Sequence, residues 1–210
     1  MLKMETIGPQ EHWDKIYQTK TQQEFSWYQS VPKQSIEFFE TFNLPKEAHI
    51  IDVGAGDSYF VDYLLEKGYR NIYVLDISAA AIDRAKKRLG NNAEKVNWIV
   101  ANIIDFKPEV KFDFWHDRAA FHFLTRQEEI KLYLENANES IVNNRYLVVG
   151  TFSDSGPLKC SGLETKQYSK QALENEFAAY FSKIKCVDDT HLTPFNTQQN
   201  FTYCSFQKVN

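Results

Sequence analysis

Ile50-Ile51-Asp52-Val53-Gly54-Ala55-Gly56-Asp57-Ser58 reads as an apolar strand that runs into a two-glycine turn and then a helix. A second apolar stretch, Asn71-Ile72-Tyr73-Val74-Leu75, ends in an acid, Asp76. Strand, glycine turn, helix and strand-end acid form the unit that holds a nucleoside-type cofactor at the carboxyl edge of a parallel sheet.

Two residues decide which cofactor. In the dinucleotide fingerprint a third glycine follows three residues after the second, where helix and strand pack closely. Here that position is Tyr59, and the residue after Gly56 is the acid Asp57. A pyrophosphate seated on the helix start would meet that negative charge unfavourably. S-adenosylmethionine carries no phosphate, so the conflict disappears, and it is the expected cofactor. A nicotinamide oxidoreductase is disfavoured on the same grounds.

From His49 to Gly150 short apolar strands alternate with amphipathic segments of helix length. Strands are expected at 49–53, 71–76, 96–101, 112–116 and 146–152, and helices at 58–67, 79–89 and 127–143. Ser78 is a natural N-cap for the second helix, and Thr125 for the third, with Glu128 at capping-box spacing. This alternation predicts a doubly wound, Rossmann-like α/β fold with helices on both faces of a mostly parallel sheet. Ser169 opens a further helix. The segments 185–192 and 201–208, around Pro194-Phe195-Asn196, read as a closing antiparallel hairpin. Residues 1–48 form a helical cap, with helices near 13–20 and 34–42 joined by Phe25-Ser26-Trp27-Tyr28, on a single domain of 1–210.

The bulk numbers narrow the function. The chain has 210 residues, 43% hydrophobic and 25% charged, with a formal net charge of −4. It suits one domain with a substantial core. The basic run Lys86-Lys87-Arg88 falls on what reads as a solvated helix face, and no denser Lys/Arg cluster exists, so nucleic acid is not expected as a partner. No stretch has the length of a membrane span, and residues 1–18 lack the apolar core of a signal peptide. Three cysteines (160, 186, 204) make no CxxC pair and leave at least one unpaired. A reducing, cytoplasmic setting is the default expectation.

With these residues in view, the chain resembles the class I S-adenosylmethionine-dependent methyltransferases. The likeness rests on Asp52-Val53-Gly54-Ala55-Gly56, Asp76 and Trp115-His116-Asp117-Arg118-Ala119-Ala120-Phe121-His122-Phe123. The opening His12-Trp13-Asp14 and Glu24-Phe25-Ser26-Trp27-Tyr28 is similar to a subgroup of small members whose substrates are often unassigned. The resemblance implies a seven-stranded sheet with its last strand antiparallel. It also implies that Gly54 and Gly56 admit the cofactor backbone-close, and that Asp52 contributes to the polar setting of its ammonium. Asp76 accepts from both ribose hydroxyls, a charge-assisted bidentate contact, and Ile77 packs on the adenine. Relatives commonly place an acid at the end of the third strand; here Asn102, followed by Ile103, offers an amide oxygen instead. Asn143-Asn144-Arg145 stands where relatives carry glycines, and Asn tolerates left-handed backbone there.

Methyl transfer is an in-line displacement, so alignment of nucleophile and leaving sulfur supplies much of the catalysis. Asp117, where the fourth strand ends, is the leading candidate to orient the substrate, touch the cofactor or take a proton; the alternative is a salt-bridged loop acid. His116 would face the opposite side of the strand. Arg118 pairs structurally or holds an acidic substrate, and His122 is a second catalytic candidate against a structural histidine. Trp27, with Tyr17 and Tyr28, is expected to cover the sulfonium, whose charge is attracted to aromatic faces. The loop 156–163, with Tyr168, is expected to border the substrate pocket. Cys160 and His191 have no metal-finger spacing, and no metal site is expected.

The expected function is methyl transfer from S-adenosylmethionine to a small molecule. The alternatives are a protein lysine methyltransferase and a non-catalytic S-adenosylmethionine-binding regulatory protein.

Overall fold

Strand β1 (His49–Val53) buries both Ile50 and Ile51, neighbours that point to opposite faces, so helices must cover the sheet on both sides. The computed structural model describes residues 8–209; the first seven residues of the expected cap lie outside them. In chain order the elements are α1 (Pro9–Thr19), α2 (Lys33–Glu40), β1, α3 (Phe60–Glu66), β2 (Asn71–Asp76), α4 (Ala79–Leu89), β3 (Val96–Val100) and β4 (Phe112–Arg118). There follow α5 (Gln127–Ser140), β5 (Ile141–Phe152), β6 (Lys159–Cys160), β7 (Leu163–Glu164), α6 (Lys170–Phe177), β8 (Phe181–Leu192) and β9 (Gln198–Lys208).

Seven strands form one sheet in the order β3-β2-β1-β4-β5-β9-β8. The pairs from β3 to β5 are parallel, while β9 runs antiparallel to both β5 and β8. The expected doubly wound sheet with a closing hairpin is therefore observed. Ile51, Val53, Trp115 and Leu147 build one core with α5 and α6; Ile50, Val74, Phe114 and Val148 build the other with α2 and α3. Strand order reverses between β1 and β4, and ligands settle outside the carboxyl ends of strands at such a switch point.

Several local expectations change. Thr125 does not cap α5; Arg126 holds the N-cap position with no side-chain cap, and its guanidinium instead binds Glu129. The asparagine turn before the fifth strand lies inside it. β5 begins at Ile141, and the left-handed Asn144 (φ 62°) sits where the register against β4 shifts. Arg88 is not a solvated charge: its Nη2 contacts Asp62 Oδ2 at 2.6 Å and donates to the Ser58 carbonyl at 2.7 Å, tying α4 to the glycine turn. The loop after β5 contains the two-stranded ribbon β6–β7. Cys186 and Cys204, directly opposite on β8 and β9, are disulfide-bonded, and Cys160 is free.

Candidate active site

The carboxyl ends of β1, β2 and β4 and the residues after β3 open onto one cavity of about 460 Å³. Its floor is the glycine turn. Gly54 (φ 59°) and Gly56 (φ 57°) both adopt left-handed backbone, which glycine enters without strain. A β-carbon at Gly54 would strike Ala120, and one at Gly56 would strike the Tyr17 hydroxyl.

Asp76 locks this turn to the end of β2. Gly56 N donates to its Oδ2 (2.7 Å) and Ser78 N to its Oδ1 (2.8 Å). Burial pushes the Asp76 carboxyl up to about 6, against the opposing pull of those two backbone bonds. Each carboxylate oxygen keeps further acceptor capacity, and the residue lines the cavity.

Asp52 is buried one strand away. His116 stands beside it in register on β4, with Nδ1 2.6 Å from Asp52 Oδ1, while His116 Nε2 lies 2.8 Å from Ser35 Oγ. Asp52 Oδ2 has no protein partner. It is an unpaired acceptor, shut off from solvent, on a residue that lines the cavity.

The roof comes from the N-terminal segment. α1 lies along α4, where Asp14 Oδ1 accepts from Ser78 Oγ (2.7 Å) and Ala80 N (3.1 Å). Arg84 Nη1 donates to the Tyr17 carbonyl (2.9 Å). Trp13, Tyr17, Trp27 and Tyr28 face the cavity, and Trp27 stacks on Phe25 with centroids 4.7 Å apart. Asp57 borders it too, with Oδ2 3.3 Å from Arg84 Nε.

Of the expected binding residues, Asp52, Gly54, Asp76, Ile77, Asn102, Ile103 and Trp27 surround this cavity, with Gly56 in the turn beneath. Asn102 Oδ1 also accepts from Ile104 N at 3.3 Å. Asp117 and His122 are not brought to it. Asp117 is fully buried on the α5 side, where Oδ1 accepts from Ala120 N (3.0 Å) and Phe121 N (3.1 Å) and Oδ2 from Tyr133 Oη (2.8 Å). Burial raises its carboxyl to about 6. It shapes the bend after β4 and does not line the cavity, which corrects both its catalytic and its cofactor assignment. His122 is equally enclosed; Nδ1 accepts from Phe152 N (3.1 Å), and burial, with the Arg118 charge, depresses it to about 3. Enclosed in this way, His122 does not line the cavity.

Arg118 does line the cavity, as do Cys160, Leu163 and Phe201. Tyr168 lies in the core instead. His191 sits behind the wall, with Nε2 2.8 Å from the Ser26 carbonyl and Nδ1 3.2 Å from Gln29 Nε2. It braces the Phe25–Tyr28 segment. Among the described residues no cluster of three or more His, Cys, Asp or Glu could hold a metal. Sequence reasoning missed Asp14, Ser35, Arg84 and Tyr203, whose roles arise from contacts between segments far apart in the chain. Only the Ser78 cap hinted at Asp14.

Residues 51–144 match the profile of a methyltransferase-domain family. A malonyl-[acyl-carrier protein] O-methyltransferase of Ilyobacter polytropus is 31% identical over 48% of this chain and 38% of its own. The human EEF1A lysine methyltransferase 2 is 25% identical over 85% of this chain and 76% of its own. The chain spans less than half the length of the first curated relatives it matches. A solved structure described under the conversion of a disulfide bond into a thioacetal group during echinomycin biosynthesis superposes with a TM-score of 0.79. It is 15% identical and covers 95% of this chain and 93% of its own. The matched profile spans the strands that carry Asp52, the glycine turn and Asp76, on a sheet of the expected order, and over this region the chain is similar to methyltransferase domains.

Proposed function

We infer that this protein transfers a methyl group from S-adenosylmethionine to a small-molecule acceptor by in-line displacement. The observation that carries this reading is the cavity, partly roofed by Trp13, Tyr17 and Trp27 and of a volume usual for small-ligand sites. Asp76 would take the ribose, Asp52 the ammonium, and Ile77, Asn102 and Ile103 the adenine. The bound cofactor supplies an activated methyl on a sulfonium. The chain's own residues exclude water and align the acceptor, which is where most of the rate of such a displacement originates. Asp117 and His122 do not reach the cavity, so this reading favours an acceptor that arrives with a free lone pair and needs no general base.

Protein lysine methylation is the second reading. It is favoured by the alignment with the human EEF1A lysine methyltransferase 2, which runs along most of both chains. A lysine side chain also fits an aromatic-walled opening. Two measurements separate the readings. Melting temperature is followed with S-adenosylmethionine, S-adenosylhomocysteine and NAD, and only the first two should raise it. Methyl-labelled S-adenosylmethionine is then incubated with a metabolite pool and with a protein extract. Label in the small-molecule fraction supports the first reading, and label in protein alone replaces it with the second. Cofactor binding with no transfer to either points to a non-catalytic regulatory protein.

A further inference from the structure

Arg118 closes β4 and borders the cavity without a charged partner. Its Nε donates to Tyr203 Oη (2.9 Å) and its Nη1 to the Trp27 carbonyl (3.0 Å). Its guanidinium lies 5.1 Å from the centre of the Phe201 ring. Nη2 has no hydrogen-bond partner and is shielded from solvent. None of the ion pairs among the described residues includes it. Its charge acts on Cys160, His122, His191 and Tyr203, which are all neutral groups. A half-buried guanidinium whose Nη2 is unpartnered and whose other contacts are neutral oxygens gains from an anion that joins it.

The complementary orphan is Asp52 Oδ2. A chain of side chains links the two charges. Arg118 Nε reaches Tyr203 Oη, the Ser35 hydroxyl lies beside that phenol, Ser35 Oγ is 2.8 Å from His116 Nε2, and His116 Nδ1 is 2.6 Å from Asp52 Oδ1. Every member except Arg118 is buried, so the spacing between cation and anion is held by packed side chains.

We propose that Arg118 is a carboxylate-binding residue of this cavity. A singly charged carboxylate suits the fork of the guanidinium. A dianionic phosphate is disfavoured because Asp52, Asp57 and Asp76 border the same space. The carboxylate has two sources: the amino-acid end of the cofactor, whose ammonium would then meet Asp52, or the methyl acceptor. The proposal rests on the cofactor reading above.

The test compares S-adenosylhomocysteine with 5′-methylthioadenosine, which lacks the amino-acid end, in wild type, Arg118→Gln and Arg118→Lys. If the cofactor supplies the carboxylate, Arg118→Gln weakens S-adenosylhomocysteine binding about tenfold or more and methylthioadenosine binding by less than about twofold, and Arg118→Lys restores part of the loss. If the acceptor supplies it, both nucleosides bind normally. Benzoate then raises the melting temperature of the wild-type S-adenosylhomocysteine complex more than benzamide does, and Arg118→Gln abolishes that difference. The proposal is overturned if neither difference depends on Arg118, or if both variants weaken both nucleosides alike, which would make Arg118 only a brace for Trp27 and Tyr203. Wild-type protein that binds neither nucleoside sinks the cofactor reading itself, a separate failure.

Discussion

His116 and Asp52 stand opposite one another on adjacent parallel strands, Nδ1 to Oδ1 at 2.6 Å, both nearly inaccessible. The pairing occupies one carboxylate oxygen and leaves the other free beside the cavity. Removing one member of a buried pair leaves the other uncompensated, at a cost of about 3–5 kcal/mol. His116→Ala should therefore lower unfolding free energy by roughly that amount in denaturant titration. A loss of less than about 1 kcal/mol would show that the pair does not hold Asp52.

Asp76 sets a pH dependence. Its folded-state value, about 6 against an ordinary 3.8, means the folded protein holds this proton more tightly than the unfolded chain. The contribution to stability is complete below pH 3.8 and is lost as pH rises through about 6. Ligand binding runs the other way, since a ribose diol is best accepted by the ionised carboxylate. Affinity for S-adenosylhomocysteine should fall as pH drops below about 6, by up to about tenfold per unit, while Asp76→Asn binds weakly with a flat profile. An equally steep profile in Asp76→Asn assigns the titration to another group.

Asp117 should separate stability from binding. Its oxygens satisfy two backbone amides and the Tyr133 hydroxyl inside the core. Asp117→Ala strands those donors, and a melting temperature lowered by several degrees is expected from about 2–4 kcal/mol lost. Folded Asp117→Ala protein should bind S-adenosylhomocysteine within about threefold of wild type, a difference of well under 1 kcal/mol. Wild-type stability combined with abolished binding would return Asp117 to the ligand.

Gly56→Ala should open the roof. The new methyl meets the Tyr17 hydroxyl at a left-handed position, so α1 must shift or the turn must strain. A stability loss of about 1–3 kcal/mol is expected, together with faster proteolysis at the N-terminal helix. Protection of α1 equal to wild type would contradict the contact.

Trp27 contributes a ring to the roof and a carbonyl to Arg118. Trp27→Ala keeps the carbonyl and removes the ring. S-adenosylmethionine, a cation, should lose more affinity than S-adenosylhomocysteine, by a factor of about two to five if the ring faces the sulfonium. Equal losses for the two ligands would reduce Trp27 to packing.

Strand-scale features were legible because they depend on near neighbours in the chain. Apolar runs mark β1 and β2 to the residue, Ser78 caps α4, and Gly54, Gly56 and Asp76 lie within one strand–helix–strand unit. The ends of other strands were less legible where tertiary pairing prolongs them, as in β5 and β8.

By itself the sequence determined the sheet, the glycine turn and the acid at its edge, since alternating apolar segments admit few topologies and a tight turn needs residues without a β-carbon. Only the tertiary structure decided that Asp117 and His122 face the core while Arg118 faces the cavity, and that Asp14, Ser35 and Tyr203 serve the site. One residue of rotation along β4 and its bend sends a side chain to the opposite face, and contacts spanning 64 to 85 residues depend on how whole elements dock.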